Sequence, residues 1–252
     1  MKALITGASS GIGRDMAKYL SKMGYDLILV ARDEKGLQKV AEEIKTKTMI
    51  IAMDLGSVDN CLKLHKMVKK EDIDILINNA GFGTFGKFDD TDLNKELDMI
   101  NLNIKAVHTL TKLFLIDMKA KDHGYILNVS SSASFQPGPL MATYYSTKAY
   151  VLRLTTAIYE ELRKDGSNVV VSTLCPGPVS TNFNRVANVE FELKSLPSYY
   201  VAKYGIDNMF KKKLIIIPGL YMKFLYFFSR IIPTKMILKV SYNVQRRKRN
   251  KL

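Results

Sequence analysis

The sequence predicts an α/β fold, in which helices cover both faces of a doubly wound parallel sheet of about seven strands. Seven short apolar runs, rich in β-branched residues, are spread along residues 1–218, and stretches of helical periodicity separate them. Runs that are apolar at nearly every position suit strands that are buried on both sides. Ligands of such sheets bind at the carboxyl ends of the strands, so we expect the chemistry in the loops that follow them.

The elements alternate from the first residues onward. The predicted strands are Lys2–Ile5, Leu27–Ala31, Thr48–Ala52, Ile73–Ile77, Tyr125–Val129, Val169–Leu174 and Lys213–Ile217. Apolar residues recur every three or four positions between them, which predicts helices at Asp15–Met23, Glu34–Lys45, Val58–Lys69 and Leu93–Lys119. Because a strand already begins at residue 2, no room is left for a signal peptide, and the cytoplasm is the expected compartment.

The composition indicates a globular protein. The chain has 252 residues, 47% of them hydrophobic, and it can bury a sizeable core. Cys61 and Cys175 lie far apart and the three histidines are scattered singly, so we expect neither a disulfide framework nor a metal site. Residues 208–252 hold twelve Lys or Arg and no Asp or Glu, so most of the net charge of +14 lies there. No base-reading motif accompanies the basic end, and nucleic acid is not an expected partner.

The loop after the first strand reads TGASSGIG, residues 6–13, and predicts a dinucleotide site. Its glycines let the backbone turn tightly and approach a ligand closely. The N–H groups at the start of the following helix favour a pyrophosphate. The spacing differs from GxGxxG, so the prediction depends on the position of the loop between a strand and a helix. The expected cofactor contacts in this loop are Gly7, Ser9, Ser10, Gly11, Ile12 and Gly13.

The end of the second strand bears on the choice between the nicotinamide cofactors. An acidic side chain there accepts hydrogen bonds from the adenine ribose and repels a 2′-phosphate. Here the strand ends at Ala31 and Arg32 follows, which favours NADP(H) because a guanidinium binds phosphate well. Asp33 comes one residue later, so NAD(H) stays open as the alternative.

Five motifs follow one another in a specific order. After TGASSGIG come NNAG at 78–81, NVSS at 128–131, YSTK at 145–148 preceded by Tyr144, and CPGPVST at 175–181. With this order and spacing, residues 1 to about 218 resemble the classical short-chain dehydrogenases/reductases. The resemblance implies a single Rossmann-like domain that oxidises alcohols or reduces carbonyls with NAD(P).

The resemblance also implies a catalytic set. The tyrosine of the family lies four residues before its lysine and about thirteen after its serine, which fits Tyr144, Lys148 and Ser131. Tyr145 lies only three residues before the lysine and is interpreted as a neighbour that fills space or lines the site. Asn103, in NLNIKAV, is the expected fourth member, which anchors a water that relays protons to the lysine.

Two of these residues have rivals of the same type. Ser130 and Ser132 flank Ser131, and the ordinary role of either would be a turn hydroxyl. Asn101 competes with Asn103, although Asn103 lies 28 residues before Ser131, closer to the spacing of the family.

Ketone reduction explains why these residue types are needed together. Hydride reaches the carbon while negative charge grows on the oxygen, which must then receive a proton. A phenol has an ordinary pKa near 10, and a lysine ammonium one helical turn away, with the oxidised nicotinamide, lowers it. The hydroxyls of Ser131 and Tyr144 can both hydrogen-bond the developing oxyanion. Lys148 is also expected to hold the nicotinamide ribose.

Further cofactor contacts follow from the resemblance. Asp54, after the third strand, matches the residue that meets the adenine edge. Asn79 lies near the adenine ribose or chiefly holds the strands together. The last expected contacts border the nicotinamide or bond its carboxamide: Pro176, Gly177, Val179 and Thr181.

The chain is less typical after residue 181. Residues 182 to about 205 match the variable substrate lid, whose apolar residues either contact an apolar substrate or pack the lid itself: Phe183, Phe191, Leu196, Tyr199 and Tyr200. Residues 219–252 extend beyond the 1–218 domain, and a helical wheel over Leu220–Ile232 predicts a basic amphipathic helix. Its charges and prolines argue against a membrane span.

The partner of residues 208–252 is left open by the sequence. A basic amphipathic helix suits an anionic membrane surface, which would make the protein peripheral there. The same residues could receive an acidic carrier protein or an acyl-CoA, or could pack on the domain or on a second subunit. By resemblance, the chain is expected to form a homo-oligomer.

The sequence as a whole predicts an NADP-dependent oxidoreductase that interconverts a ketone and a secondary alcohol on an apolar small molecule. The candidate substrates are a 3-oxoacyl thioester, a steroid or another lipid-like carbonyl. One alternative is an NAD-dependent dehydrogenase of a small polyol or sugar. Another is a catalytically silent nucleotide-binding sensor or a membrane-surface interaction protein.

Overall fold

A computed structural model describes residues 1–181, 183 and 195–249. Within those residues, seven strands form one parallel sheet: β1 (Lys2–Thr6), β2 (Asp26–Ala31), β3 (Thr48–Ala52), β4 (Ile75–Asn78), β5 (Tyr125–Val129), β6 (Val170–Leu174) and β9 (Ile215–Ile216). Their order across the sheet is β3-β2-β1-β4-β5-β6-β9. Two short strands, β7 (Val179–Ser180) and β8 (Leu196–Pro197), pair separately beside it. Every predicted strand is present, with its ends within two residues of the predicted bounds.

Helices cover both faces of the sheet. They are α1 (Gly11–Lys22), α2 (Glu34–Glu42), α3 (Val58–Val68), α4 (Leu93–Ile100), α5 (Val107–Ala120), α6 (Ala142–Lys164), α7 (Ser198–Phe210), α8 (Leu220–Phe228) and α9 (Thr234–Arg249). The helix predicted over Leu93–Lys119 is interrupted by a π-helical turn, Asn101–Ala106, which joins α4 to α5. A 3₁₀ turn, Ser132–Phe135, follows β5. The doubly wound, Rossmann-like α/β fold is confirmed.

The core has two apolar layers because successive residues of a strand point to opposite faces of the sheet. On one face, Ile5 of β1 belongs to the layer that also holds Met16 of α1. On the other face, its neighbour Leu4 belongs to the layer that holds Leu64 of α3 and Phe114 of α5. Because helices cover both faces of the sheet, the apolar side chains on both sides of the strands are buried, as the apolar runs in the sequence predict.

The strand order reverses between β1 and β4. The strand β1 pairs with β2 on one side and with β4 on the other, and the chain crosses over after β3. In such a sheet the loops that leave β1 and β4 run to opposite faces and open a crevice at the carboxyl edge. The crevice therefore lies between TGASSGIG and NNAG.

The C-terminal extension contains the helix predicted over Leu220–Ile232 as α8, which ends at Phe228, and a second helix, α9. Pro233 separates α8 from α9, since proline disfavours helical backbone in the residue before it. The extension packs on its own domain: Met222 joins a buried cluster with Leu152 and Cys175, and the rings of Tyr226 and Phe135 lie 4.7 Å apart. In the part of the chain that the structure describes, no helix is long and apolar enough to cross a membrane.

Candidate active site

One cavity of about 960 Å³ opens at the carboxyl edge of the sheet. This volume is at the upper end of the range of about 300–1,000 Å³ for small-molecule sites. The cavity is lined by fifteen of the predicted site residues: Gly7, Ser9, Ser10, Gly11, Ile12, Arg32, Asp54, Asn79, Ser131, Tyr144, Lys148, Pro176, Gly177, Val179 and Thr181. The two remaining predicted residues, Gly13 and Asn103, are buried directly behind its wall.

The glycine-rich loop takes its shape from close backbone contacts. Gly7 and Gly11 adopt φ values of +64° and +55°, a region that favours glycine. A Cβ on Gly13 would lie 2.3 Å from the carbonyl oxygen of Gly7, so only glycine lets α1 begin so close to β1. The Asn79 side-chain amide donates to the carbonyl oxygen of Gly7 at 3.1 Å and to that of Thr6 at 3.0 Å. Asn79 thus holds the loop against β4, which is the structural role that the sequence left open for it.

At the end of β2, two neighbouring residues have different surroundings. The carboxylate of Asp33 accepts a 3.0 Å hydrogen bond from the backbone N–H of Gly36 and caps α2. The guanidinium of Arg32 is exposed at the cavity, and its one ion pair within the described part of the chain is a long contact, 3.9 Å, with the carboxylate of Asp54. Both residues line the cavity: Arg32 presents a positive charge there, and Asp33 uses one carboxylate oxygen for the helix cap.

The predicted catalytic side chains lie together on α6 and at the end of β5. Tyr144 and Lys148 are one helical turn apart, and the Lys148 ammonium lies 6.0 Å from the centre of the Tyr144 ring. The hydroxyl of Ser131 lies beside the Tyr144 phenol, and its oxygen also accepts a 3.1 Å hydrogen bond from the backbone N–H of Ala133. The neighbouring Ser130 instead donates a 2.8 Å hydrogen bond to the backbone carbonyl of Lys148 and only supports the helix. Of these two serines, Ser131 is the one that faces the phenol.

Burial changes the proton affinities of both groups. It raises the pKa of the Tyr144 phenol, an effect that the Ser131 hydrogen bond partly offsets and that nearby Tyr145 reinforces. It lowers the pKa of Lys148 to about 8, because the ammonium has little water around it. The ammonium donates a 3.0 Å hydrogen bond to the carbonyl oxygen of Val129. Near neutral pH the site therefore holds a neutral phenol beside a charged ammonium.

Asn103 lies in the π-helical turn, a feature that often marks functional sites. Its side chain is fully engaged: it donates to the carbonyl of Phe82 at 2.9 Å, accepts from the Phe82 N–H at 3.1 Å and donates to the Thr147 hydroxyl at 3.1 Å. A Cβ on Gly81 would lie 2.9 Å from the Asn103 Oδ1 and 3.3 Å from the Lys148 Nζ. Asn103 therefore positions the loop after β4 next to the lysine.

The lid residues divide between the two roles that the sequence allowed. Phe183 lines the cavity, with its ring 5.3 Å from the ring of Tyr144. Tyr199 packs edge-on against Tyr19 of α1, and Tyr200 packs against Tyr204 within α7, so both belong to the packing of the lid. Leu196 packs on the core next to α1 and α7. Phe191 and most of the predicted lid, residues 182 and 184–194, lie outside the described residues.

Sequence reasoning missed that the extension supplies one wall of the cavity. Both of its helices contribute apolar residues: Tyr221, Met222, Leu225, Phe228, Ile232, Met236, Ile237, Val240 and Val244. The available signal was the spacing of three and four between these residues, which marks a helix face that must be covered. The partner of that face could not be read from the sequence, because the covering surface comes from loops a hundred residues away.

The fold and the site define the class of protein. A family model described as short chain dehydrogenase matches residues 1–190, and the chain belongs to this family. It is an NAD(P)-dependent dehydrogenase/reductase. The described residues contain no cluster of His, Cys, Asp or Glu that could hold a metal ion. Both cysteines are buried and free, and burial raises the pKa of each thiol to about 11.

Among curated proteins, the chain is similar to very-long-chain 3-oxoacyl-CoA reductases. It is 29% identical to one from Anas platyrhynchos over 247 residues, which cover 94% of this chain and 78% of that protein. It is 34% identical to one from Homo sapiens over 192 residues, which cover 73% of this chain and 61% of that protein. These relatives share an oxidoreductase activity on a ketone or alcohol.

Among solved structures, the chain resembles a short-chain dehydrogenase from Sphingobium yanoikuyae in complex with NADPH, with a TM-score of 0.81 and 28% identity over 87% of this chain and 88% of that one. It also resembles a bulky-bulky ketone specific alcohol dehydrogenase from Comamonas testosteroni, with a TM-score of 0.78 and 29% identity over 87% and 86% of the two chains.

Proposed function

We propose that the protein reduces the ketone of a 3-oxoacyl thioester, or of a similarly elongated lipid-like molecule, with NADPH. The observation that carries this proposal is the apolar wall that α8 and α9 add to the cavity beside Tyr144. A small polyol or sugar would leave such a wall without contacts, whereas an acyl chain would bury it. The names of the relatives, very-long-chain 3-oxoacyl-CoA reductases, support the same substrate class.

The preference for NADPH rests on the two residues after β2. The guanidinium of Arg32 is exposed at the cavity and suits a phosphate group, which it can bind through two hydrogen bonds. Asp33, the residue that would favour NAD, also lines the cavity, but one of its carboxylate oxygens accepts the N–H of Gly36 at the start of α2. The NADPH named for the Sphingobium yanoikuyae structure supports this choice.

When bound, the cofactor supplies the hydride for the carbonyl carbon. The chain supplies the proton and orients the substrate: Ser131 and Tyr144 donate hydrogen bonds to the carbonyl oxygen, and Tyr144 transfers its proton as charge grows there. The Lys148 ammonium stabilises the phenolate that this transfer leaves behind. Asn103 positions the loop after β4, since its side chain makes two hydrogen bonds with the backbone of Phe82, and the water that the resemblance assigns to it stays a prediction.

The thioester fits the charge of the chain. Residues 208–252 carry twelve basic residues and no acidic one, and an acyl-CoA or an acidic carrier protein presents negative charge next to its acyl chain. A steroid ketone would use the apolar wall but not the basic residues, so it ranks second. The homo-oligomer expected from the resemblance stays a prediction.

The test is consumption of NADPH and of NADH over a panel of substrates: 3-oxoacyl thioesters of increasing chain length, steroid ketones, and small sugars. We expect turnover with NADPH, with kcat/KM rising with acyl length, and loss of turnover in Tyr144→Phe while NADPH still binds. Preference for a small polar carbonyl would overturn the assignment. NADPH binding without turnover of any substrate would favour the silent nucleotide-binding alternative.

A further inference from the structure

Helix α8 carries two apolar stripes on different sides. The inward stripe lines the active-site cavity and consists of Tyr221, Met222, Leu225 and Phe228. The second stripe lies outside the cavity and consists of Leu220, Phe224, Phe227 and, just after the helix, Ile231. Their spacing of four, three and four places these four residues along one side. We refer to them as the outer stripe.

The outer stripe has no partner in the chain as described. Its residues are 73, 64, 59 and 63% exposed, in chain order. Soluble proteins rarely expose a contiguous patch of large apolar side chains unless it contacts a partner or a membrane. The exposed apolar surface continues on α9, where Met236, Val240 and Val244 are exposed and also line the cavity. Both helices of the extension therefore expose large apolar side chains.

Basic side chains occur on both helices of the extension. Lys223 and Arg230 lie between residues of the outer stripe in the sequence, and the Arg230 guanidinium lies 4.7 Å from the centre of the Tyr226 ring. Lys235, Lys239 and Arg246 are exposed on α9. Over the described residues, none of these five forms a salt bridge, and the sequence has no acidic residue after position 207 to provide one. The surface is thus both apolar and positively charged.

We propose that the outer stripe docks onto the surface of a lipid bilayer that contains anionic lipids. Aromatic and aliphatic side chains that stand out from a basic helix insert into the boundary between headgroups and acyl chains, while Lys and Arg contact the anionic headgroups. A second copy of this chain fits the surface less well, because pairing two such surfaces would bring their positive charges together. The proposal does not depend on the substrate or on turnover.

Because the sequence contains no tryptophan, a single Phe→Trp substitution gives a unique fluorescent reporter. The experiment compares full-length Phe224→Trp with Phe88→Trp, whose phenylalanine is 71% exposed and outside the cavity and the extension. Each is mixed with vesicles of phosphatidylcholine alone or with phosphatidylserine added. We expect a blue shift only for Phe224→Trp with the anionic vesicles. A blue shift for both reporters, or for neither, overturns the proposal.

Co-sedimentation with the same vesicles measures the contribution of the stripe. The double variant Phe224→Ser, Phe227→Ser removes two exposed rings, and the control Leu62→Ser, Met67→Ser removes two exposed apolar side chains from α3. We expect partitioning to fall by about a hundredfold in the first variant, since each buried ring is worth about tenfold or more, and to be unchanged in the control. If the first variant bound the vesicles as well as the wild type, the contact would be purely electrostatic, of a kind that an acidic protein could also make. That result would contradict docking through the outer stripe.

Discussion

The side-chain amide of Gln245, on α9, donates a 2.7 Å hydrogen bond to the phenol oxygen of Tyr145, the residue next to Tyr144. Both ends of the bond lie at the wall of the cavity, and Gln245 is only 2% exposed. The ring of Tyr145 is held in place from the other side by Gly138, where a Cβ would come within 2.3 Å of the ring. The last helix of the chain is therefore attached to the start of the helix that carries Tyr144 and Lys148.

The first prediction concerns this attachment. Tyr145→Phe removes the phenol oxygen and leaves the ring in place, at a cost of about 1 kcal/mol for a neutral hydrogen bond. Because α9 lines the part of the cavity that we propose binds the acyl chain, we expect KM for a long 3-oxoacyl thioester to rise about fivefold, with kcat for a short one unchanged. Steady-state kinetics at two chain lengths measure this.

A matched control for this change is Tyr150→Phe. It removes the same group from a 2.7 Å hydrogen bond with His108 on the surface of α5 and α6. We expect it to leave both kinetic constants unaltered. If Tyr145→Phe lowered kcat for short and long substrates alike, Tyr145 would act in the chemistry and not through α9.

The second prediction concerns cofactor choice. Arg32→Ala removes the exposed guanidinium at the end of β2, and a charge-assisted hydrogen bond to phosphate is worth about 1.5–3 kcal/mol. We expect the Kd for NADPH to rise about tenfold to a hundredfold, and the Kd for NADH to change little. Titration of the fluorescence of the reduced nicotinamide gives both constants.

The control is Lys18→Ala, which removes a positive charge from α1 that pairs with Glu43 away from the cavity. It should leave the ratio of the two constants as it is in the wild type. An equal loss of NADPH and NADH affinity in Arg32→Ala would mean that the guanidinium binds a group common to both cofactors.

The third prediction is a pH profile. Lys148 has a pKa lowered to about 8 by burial, so it is charged below that pH and neutral above it. Burial raises the pKa of Tyr144, so the phenol stays protonated over the same range. Since the ammonium stabilises the phenolate that forms in the reaction, ketone reduction should be constant below about pH 8 and fall above it. The measurement is kcat/KM for the ketone over a pH range of about 6 to 10, which extends on both sides of this pKa.

The variant Lys148→Met serves as the reference for this profile. Its much lower reduction rate should show no fall around pH 8, because the titrating group has been removed. A wild-type rate that increased through pH 8 would contradict the assignment, since it would require a group that becomes active when it loses its proton.

The fourth prediction compares one chemical change at two glycines. In Gly13→Ala the new Cβ would meet the backbone carbonyl of Gly7 at 2.3 Å, an obstacle that cannot move aside. In Gly177→Ala it would meet the end of the flexible Met222 side chain at 2.8 Å. We expect Gly13→Ala to lose about 1–3 kcal/mol of stability and to lose cofactor binding, and Gly177→Ala to lose less of each, because a side chain can shift where a backbone carbonyl cannot. Thermal unfolding and NADPH titration measure these effects. Equal losses in the two variants would contradict the prediction that the backbone obstacle costs more than the side-chain obstacle.

The sequence by itself determined the architecture and most members of the site. Apolar strand runs and helical periodicity are local sequence patterns. The structure contains the strands and helices that they predict, because the apolar sides of the helices cover the two faces of the sheet. The spacing of four between Tyr144 and Lys148 places both on one side of α6, because a helix turns once in 3.6 residues. The motifs, together with Arg32 and Asp54 after the second and third strands, led to fifteen of the residues around the cavity, because parallel strands all end at one edge.

Only the tertiary structure decided which of several similar residues does what. Ser130 and Ser131 are adjacent in sequence, but the packing of α6 against β5 directs one to a backbone carbonyl and the other to the phenol. Arg32 and Asp33 are adjacent after β2, and only the structure shows that both line the cavity while one carboxylate oxygen of Asp33 also caps α2. Such choices depend on partners brought close by packing, and local patterns do not encode them.

The partner of the C-terminal extension was likewise not predictable from local sequence patterns, because the residues that contact it lie far away in the sequence. The periodicity of the extension predicted an amphipathic helix, and the structure has two helices with Pro233 between them. The active site covers their inner face through contacts such as that between Tyr145 and Gln245, which lie 100 residues apart. Periodicity shows that a helix has an apolar side, because the spacing is local. The surface that covers this side is selected by the shape and burial of the whole domain, and the structure was needed to identify it.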